Sequence, residues 1–287
     1  LIHLASILGY GDSLISLSLL ERAAGAGVRV LGSGVTQSVS GLLRNPVALD
    51  KLLFDDVAAF YVLKERGPLA AARDLLRFRR WARRTLTGAD TLILENNDRR
   101  NRWIVPAGGC TVIEVPRSTT AYQDREAALW PFLGAQPWPL AAVQGAVARR
   151  LLINPSARAH TRVLPMHIVA KALRAAAEVG AEVCLIDVDG GFAKLRAQVK
   201  TYLRAPPLAA AAAALREADR YFGPDSFFMH LAYYHRVPQL ALFHPENIYF
   251  MPPGMKEQGQ YLYFSEAADS KRLGEKLRQL LERTQSE

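Results

Sequence analysis

Short apolar runs alternate along this chain with longer segments in which apolar positions return every three or four residues. Residues 1–5, 28–31, 90–95, 112–115, 151–154, 182–186 and 240–243 read as short buried strands, and 104–105 reads as one more. Residues 13–24, 118–133, 165–179, 208–219 and 265–283 carry the helical spacing, while 57–62 fits either element. Strands that alternate with helices predict an α/β fold with parallel sheets. The first strand, glycine-containing loop, helix and second strand give the order of a Rossmann-like domain. The loop Gly9-Tyr10-Gly11 lacks the Gly-x-Gly-x-x-Gly spacing of a dinucleotide site.

The pattern fails at Ala135-Gln136-Pro137-Trp138-Pro139, which is proline-rich and non-periodic, and a domain boundary is expected there. The division this predicts is 1–136, 137–264 and a final helix within 265–287. No run of eighteen apolar residues occurs, so no membrane-spanning helix is expected. The chain opens inside an apolar stretch, without methionine or a signal-peptide pattern, as a chain trimmed at its N-terminus would.

Composition adds two facts. With 287 residues, half of them hydrophobic, and only two cysteines, the chain reads as a globular protein of a reducing cytoplasm. The net charge of +9 favours polyanionic partners. Arg73, Arg77, Arg79, Arg80, Arg83 and Arg84 interleave with Leu75, Leu76, Phe78 and Trp81, and a helix there would carry an apolar stripe flanked by arginines. Such a face suits an anionic membrane surface or acceptor, and equally a solvated helix packed by its stripe. No nucleic-acid-binding motif accompanies the charge, so nucleic acid is not an expected partner.

The candidate chemistry centres on residues 218–243. A strand runs into Gly223-Pro224, Asp225-Ser226 opens a helix, Val237-Pro238 breaks it and a second strand follows. The helix start directs free N–H groups and a positive dipole end beyond the strands, which suits a phosphate as well as it suits an ordinary cap. Asp225-Ser226-x-x-Met229-His230-Leu231-Ala232, then Val237-Pro238 and Ala241-Leu242-Phe243, resembles the donor-site signature of bacterial heptosyltransferase-type glycosyltransferases. Phe227 and His244 replace glycines of that pattern and put side chains where a backbone would approach the ligand.

The resemblance implies a GT-B fold: two Rossmann-like domains facing a cleft, with the C-terminal helix returning to the first domain. It implies inverting, metal-independent transfer of a sugar from a nucleotide-sugar donor to a bacterial surface glycan or lipid-linked acceptor, as in lipopolysaccharide biosynthesis. It places the protein in the cytoplasm, with peripheral contact at the inner face of the inner membrane, and requires no cofactor. Asp12 matches the family's general base; read alone it is a helix cap. Ser156, Arg158 and Arg162, in a strand-to-helix loop, join Asp225, Ser226, Phe227, Phe228, His230 and His244 on the donor side. A hydroxyl and fixed cations there would neutralise a departing diphosphate. Asn97, Asp98, Arg99 and Arg100, beyond the end of a strand, fall on the acceptor side. Asp187-Val188-Asp189 has the form of a metal-binding pair, but its spacing is frequent by chance and the surrounding order is that of a metal-independent fold. Tyr249, Phe250 and Met251 would cover a base or sugar, or fill the core. Two rivals stay open: a catalytically weak or inactive nucleotide- or glycan-binding protein, and a sugar-nucleotide epimerase that would need a dinucleotide.

Overall fold

The computed structural model describes residues 1–6, 9–22, 27–53, 67–88, 90–95, 99–106, 109–133, 148–157 and 160–282. It divides into two units, Leu1–Pro137 and Trp138–Glu287.

The first unit runs β1 (Ile2–Ser6), α1 (Tyr10–Arg22), β2 (Val28–Gly32), α2 (Gly34–Ser40), β3 (Leu49–Leu52), α3 (Gly67–Thr85), β4 (Thr91–Leu94), α4 (Arg99–Ile104), β5 (Thr111–Glu114) and α5 (Ala121–Leu133). Its five strands are parallel in the order β3-β2-β1-β4-β5. In the middle of the sheet Leu4 lies between Val30 and Ile93, all three fully buried. Helices cover both faces of such a sheet, which is why its strands read as continuous apolar runs. The strand order reverses between β1 and β4, the place where open α/β sheets bind ligands.

Three local expectations need correction in this unit. Helix α1 starts at Tyr10 rather than Ser13, with the Ser13 N–H donating to the Gly9 carbonyl at 3.0 Å. Asp12 is therefore in the first helical turn, where the helix dipole favours a carboxylate. Ile104 and Val105 are not a strand: Ile104 ends α4, and both fill the core formed by Leu92, Leu94 and Phe78. On α3 only Ala71, Phe78 and Ala82 are buried, with Leu75 and Trp81 packed beside them, while Leu69 and Leu76 are exposed. Residues 57–62 and 135–139 lie outside the described residues.

The second unit runs β6 (Arg150–Ile153), a 3-10 turn at His160–Arg162, α6 (Met166–Glu178), β7 (Glu182–Asp187), a 3-10 segment at Ala193–Gln198, β8 (Thr201–Arg204), α7 (Leu208–Arg216), β9 (Arg220–Pro224) and α8 (Phe227–Tyr234). It continues with β10 (Gln239–Phe243), a 3-10 segment at Pro245–Phe250, β11 (Tyr261–Tyr263), α9 (Phe264–Ala267) and α10 (Ser270–Glu282). Six parallel strands lie in the order β11-β10-β9-β6-β7-β8, so the reversal falls between β6 and β9. Gly223 lets the end of β9 pass close to its neighbour: a Cβ there would stand 2.8 Å from the Asn154 carbonyl oxygen.

The terminal helix was expected to return to the first domain. Its described residues pack on the second unit: Leu273, Leu277, Leu280 and Leu281 share a core with Ile168, Leu173 and Leu242. Two bonds fix its end there, from Ala148 N–H to the Leu281 carbonyl at 2.9 Å and from Arg220 Nε to the Leu280 carbonyl at 2.8 Å. An apolar stripe this complete is satisfied by the nearest open sheet face. None of the described helices is long and apolar enough to cross a membrane.

Candidate active site

Each unit gathers charged side chains at the carboxyl-end reversal of its own sheet. In the second unit, β6 leads into Asn154 and Ser156, and the Asn154 side chain accepts the Ser156 N–H at 2.9 Å. That Asx turn bends the chain toward the 160–162 turn. Arg162 Nη1 then lies 2.7 Å from Oδ2 of Asp225 and 3.2 Å from the Asp225 carbonyl oxygen. Asp225 is buried beyond the end of β9, whereas the Arg162 side chain keeps about a fifth of its surface open. Ser226 precedes α8, and its side chain does not cap the helix; its Oγ is 3.5 Å from the Tyr221 hydroxyl. The Ser156 hydroxyl is buried with no partner among the described residues.

His244, at the end of β10, reaches back to the same loop. Its Nε2 donates to the Thr161 carbonyl at 2.9 Å, and its ring stacks on Phe264 at 4.5 Å. A glycine at this position would remove this tether of the loop. Phe227 is half-buried at the start of α8, edge-on to Phe228, and His230 is buried one turn further along. The structure thus brings Ser156, Arg162, Asp225, Ser226, Phe227, Phe228, His230 and His244 to one end of one sheet. Arg158 lies outside the described residues.

In the first unit, Asp12 is held by a side chain the sequence reading did not single out. Arg125 Nη2 donates to Asp12 Oδ1 at 2.6 Å, its Nε to the Ser16 hydroxyl at 3.2 Å and its Nη1 to the Ala121 carbonyl at 3.0 Å. The guanidinium is almost fully buried, while Asp12 remains 26% exposed. Glu95, just past β4, is fully buried with Oε1 at 3.9 Å from Arg125 Nε. Burial pushes the Glu95 carboxyl up to about 7, against the pull of Arg125 and of the Ser16 and Ser6 hydroxyls and with the push of Asp12. Those hydroxyls are near enough to act on it, yet among the described residues neither carboxyl oxygen accepts a well-formed hydrogen bond. Glu95 closes the apolar run of β4 and Arg125 stands in the polar stretch Gln123-Asp124-Arg125-Glu126, so nothing in the local sequence marks the two as buried partners.

Of the expected acceptor-side residues, Arg99 is exposed at the start of α4. Asn97, Asp98 and the Arg100 side chain lie outside the described residues. Asp187 is committed locally, accepting from Gly190 N–H at 2.8 Å, Phe192 N–H at 2.9 Å and the Tyr202 hydroxyl at 2.5 Å. Among the described residues no group of three or more His, Cys, Asp or Glu side chains is placed to hold a metal ion.

Neither a protein-family model nor a curated protein matches the chain. Solved structures do. The Escherichia coli heptosyltransferase WaaC with ADP-2-deoxy-2-fluoro heptose is similar at a TM-score of 0.70 and 13% identity, covering 98% of each chain. A glycosyl transferase of family 9 from Veillonella parvula gives 0.67 at 13% identity, over 98% of this chain and 96% of that one. The E. coli ADP-heptose lipopolysaccharide heptosyltransferase II gives 0.62 at 15% identity, over 98% of both. The fold is thus GT-B, built from two Rossmann-like units and shared over nearly the whole chain with these heptosyltransferase-like glycosyltransferases.

Proposed function

We propose that this protein is an inverting, metal-independent glycosyltransferase that moves a sugar from a nucleotide-sugar to a bacterial surface glycan or lipid-linked acceptor. The observation that carries this reading is Arg162, a partly open cation at the strand-order reversal of the second sheet, beside the buried hydroxyl of Ser156 and the uncapped start of α8. Solved neighbours of the same fold hold an ADP-linked heptose analogue and ADP. They support a nucleoside diphosphate as the ligand, which this reading assigns to this end of the second unit.

In this mechanism Asp12 accepts the proton of an acceptor hydroxyl as its oxygen bonds to the anomeric carbon. The bond from that carbon to the diphosphate breaks, and the nucleoside diphosphate leaves with the electron pair. Arg162 and the N–H groups of α8 neutralise the departing charge. Arg125 holds Asp12 in one orientation and leaves part of its carboxylate open for the proton. Arg99, exposed where β4 gives way to α4, together with Asn97, Asp98 and Arg100, is assigned to the acceptor.

A thermal-shift screen over ADP-, GDP-, UDP- and CMP-linked sugars identifies the donor, since a ligand of the folded state raises apparent stability by mass action. Turnover of that donor should fall at least about a hundredfold in Asp12→Asn, the usual scale of a lost general base. Phe227 and His244 favour a second reading, a protein that binds the nucleotide without transferring sugar. Stabilisation by a nucleotide-sugar with turnover indifferent to Asp12 would select it.

A further inference from the structure

The first unit places one buried guanidinium against two carboxylates. Arg125 bonds Asp12 from Nη2 and faces Glu95 from Nε; Asp12 lies in the first turn of the helix that follows β1 and Glu95 directly after β4, the two strands between which the sheet order reverses. We infer that Glu95 is a positioning residue for Asp12, which anchors Arg125 and, when ionised, draws its charge away from Asp12 and makes Asp12 the stronger base. The inference rests on the reading of Asp12 as the proton acceptor.

Among the described residues, the groups that face Glu95 support this. Helix α5 contributes Arg125, α1 contributes Asp12 and the Ser16 hydroxyl, and β1 contributes the Ser6 hydroxyl; Arg125 is the one cation among these groups. A single positive charge cannot fully compensate two carboxylates, so the second to ionise is opposed by the first. Asp12 keeps contact with solvent and Glu95 has none, so burial opposes ionisation at Glu95. Burial pushes its carboxyl up to about 7, within the range in which an enzyme works. The influence is mutual: whatever the charge of Asp12 does to Glu95, the charge of Glu95 does to Asp12 by the same factor.

That reciprocity supplies a test free of any substrate. Protein carrying carbon-13 at the glutamate side-chain carboxyl is titrated by NMR, with the Glu95 resonance assigned by its loss in Glu95→Gln. Should that variant not fold, Glu95→Asp removes the same resonance. Glu95 should titrate near neutrality in the wild-type protein. In Asp12→Asn its midpoint should fall by about half a unit or more, a threefold or larger effect on the basicity of Asp12. A Glu95 midpoint that moves by less than about 0.2 units, or one already in the ordinary glutamate range, overturns the inference. Turnover that survives Asp12→Asn instead overturns the assignment of Asp12, whatever Glu95 does.

Discussion

Arg162 and Asp225 form an ion pair of 2.7 Å between elements 63 residues apart, and the carboxylate is the buried partner. The pair joins the loop after β6 to the turn after β9, so it fixes the end of the second sheet as well as supplying a cation. These two roles separate by mutation. Arg162→Ala should lower the unfolding free energy by about 1–3 kcal/mol, the usual scale for a charged hydrogen bond at a buried carboxylate. It should also weaken nucleoside diphosphate binding. Adding Asp225→Asn removes the buried charge that has lost this cation, so the Arg162→Ala/Asp225→Asn variant should recover part of the stability but none of the binding. Urea unfolding and calorimetric titration with ADP, GDP, UDP and CMP read the two effects independently.

His244 tethers the same loop. Loss of its bond to Thr161 and of its stacking on Phe264 should cost about 1 kcal/mol in His244→Ala. The variant should bind nucleoside diphosphate less tightly than the wild-type protein, and more tightly than Arg162→Ala, because it loosens the cation without deleting it. The affinity losses in the His244→Ala/Arg162→Ala variant should be less than additive, since both side chains act on one loop. Full additivity in calorimetry would show that His244 does not position Arg162.

The central strands were legible because they are buried on both faces: Leu4, Ile93 and Leu242 sit in runs that no solvent-facing element would carry. Strand β3 was not, because Leu-Asp-Lys-Leu at the sheet edge leaves Asp50 and Lys51 outside the core and reads as a loop. At 104–105 two apolar residues carry too little periodicity to distinguish a strand from the last turn of α4. Asp225 to His230 lie within one short stretch, so their common place where β9 gives way to α8 follows from the local order of the chain. Arg125 could not, since its bond to Asp12 spans 113 residues and a buried charge is defined by partners the local sequence does not contain.

Leu277 tests where the terminal helix belongs. It is fully buried with Leu273 and Leu281 against the second unit's sheet. Leu277→Ala should cost about 2–4 kcal/mol, the range for a leucine removed from a packed core. Hydrogen exchange should show faster amides in β10 and α6, with the amides of β1 and β4 unchanged. Loosening confined to the first unit would place the helix elsewhere.

The buried carboxyl of Glu95 makes stability depend on pH in a defined direction. Its pKa is raised from 4.5 to about 7, chiefly by burial. Below the lower value the folded and unfolded chains both carry the proton, and no charge is buried on folding at this site. Between the two values the unfolded chain has released a proton that the folded chain still holds, so the unfolding free energy falls as pH rises. Above about 7 the group is ionised in both states and its contribution levels off. Other carboxylates add their own slopes, mainly at lower pH, so the quantity to measure is the wild-type value minus that of Glu95→Gln, which cannot titrate. In urea unfolding this difference should decline from pH 5 to pH 7 and be flat from pH 8 to pH 9. A difference flat across the whole range would mean that Glu95 is already ionised at pH 5, and that Arg125 compensates both carboxylates in full.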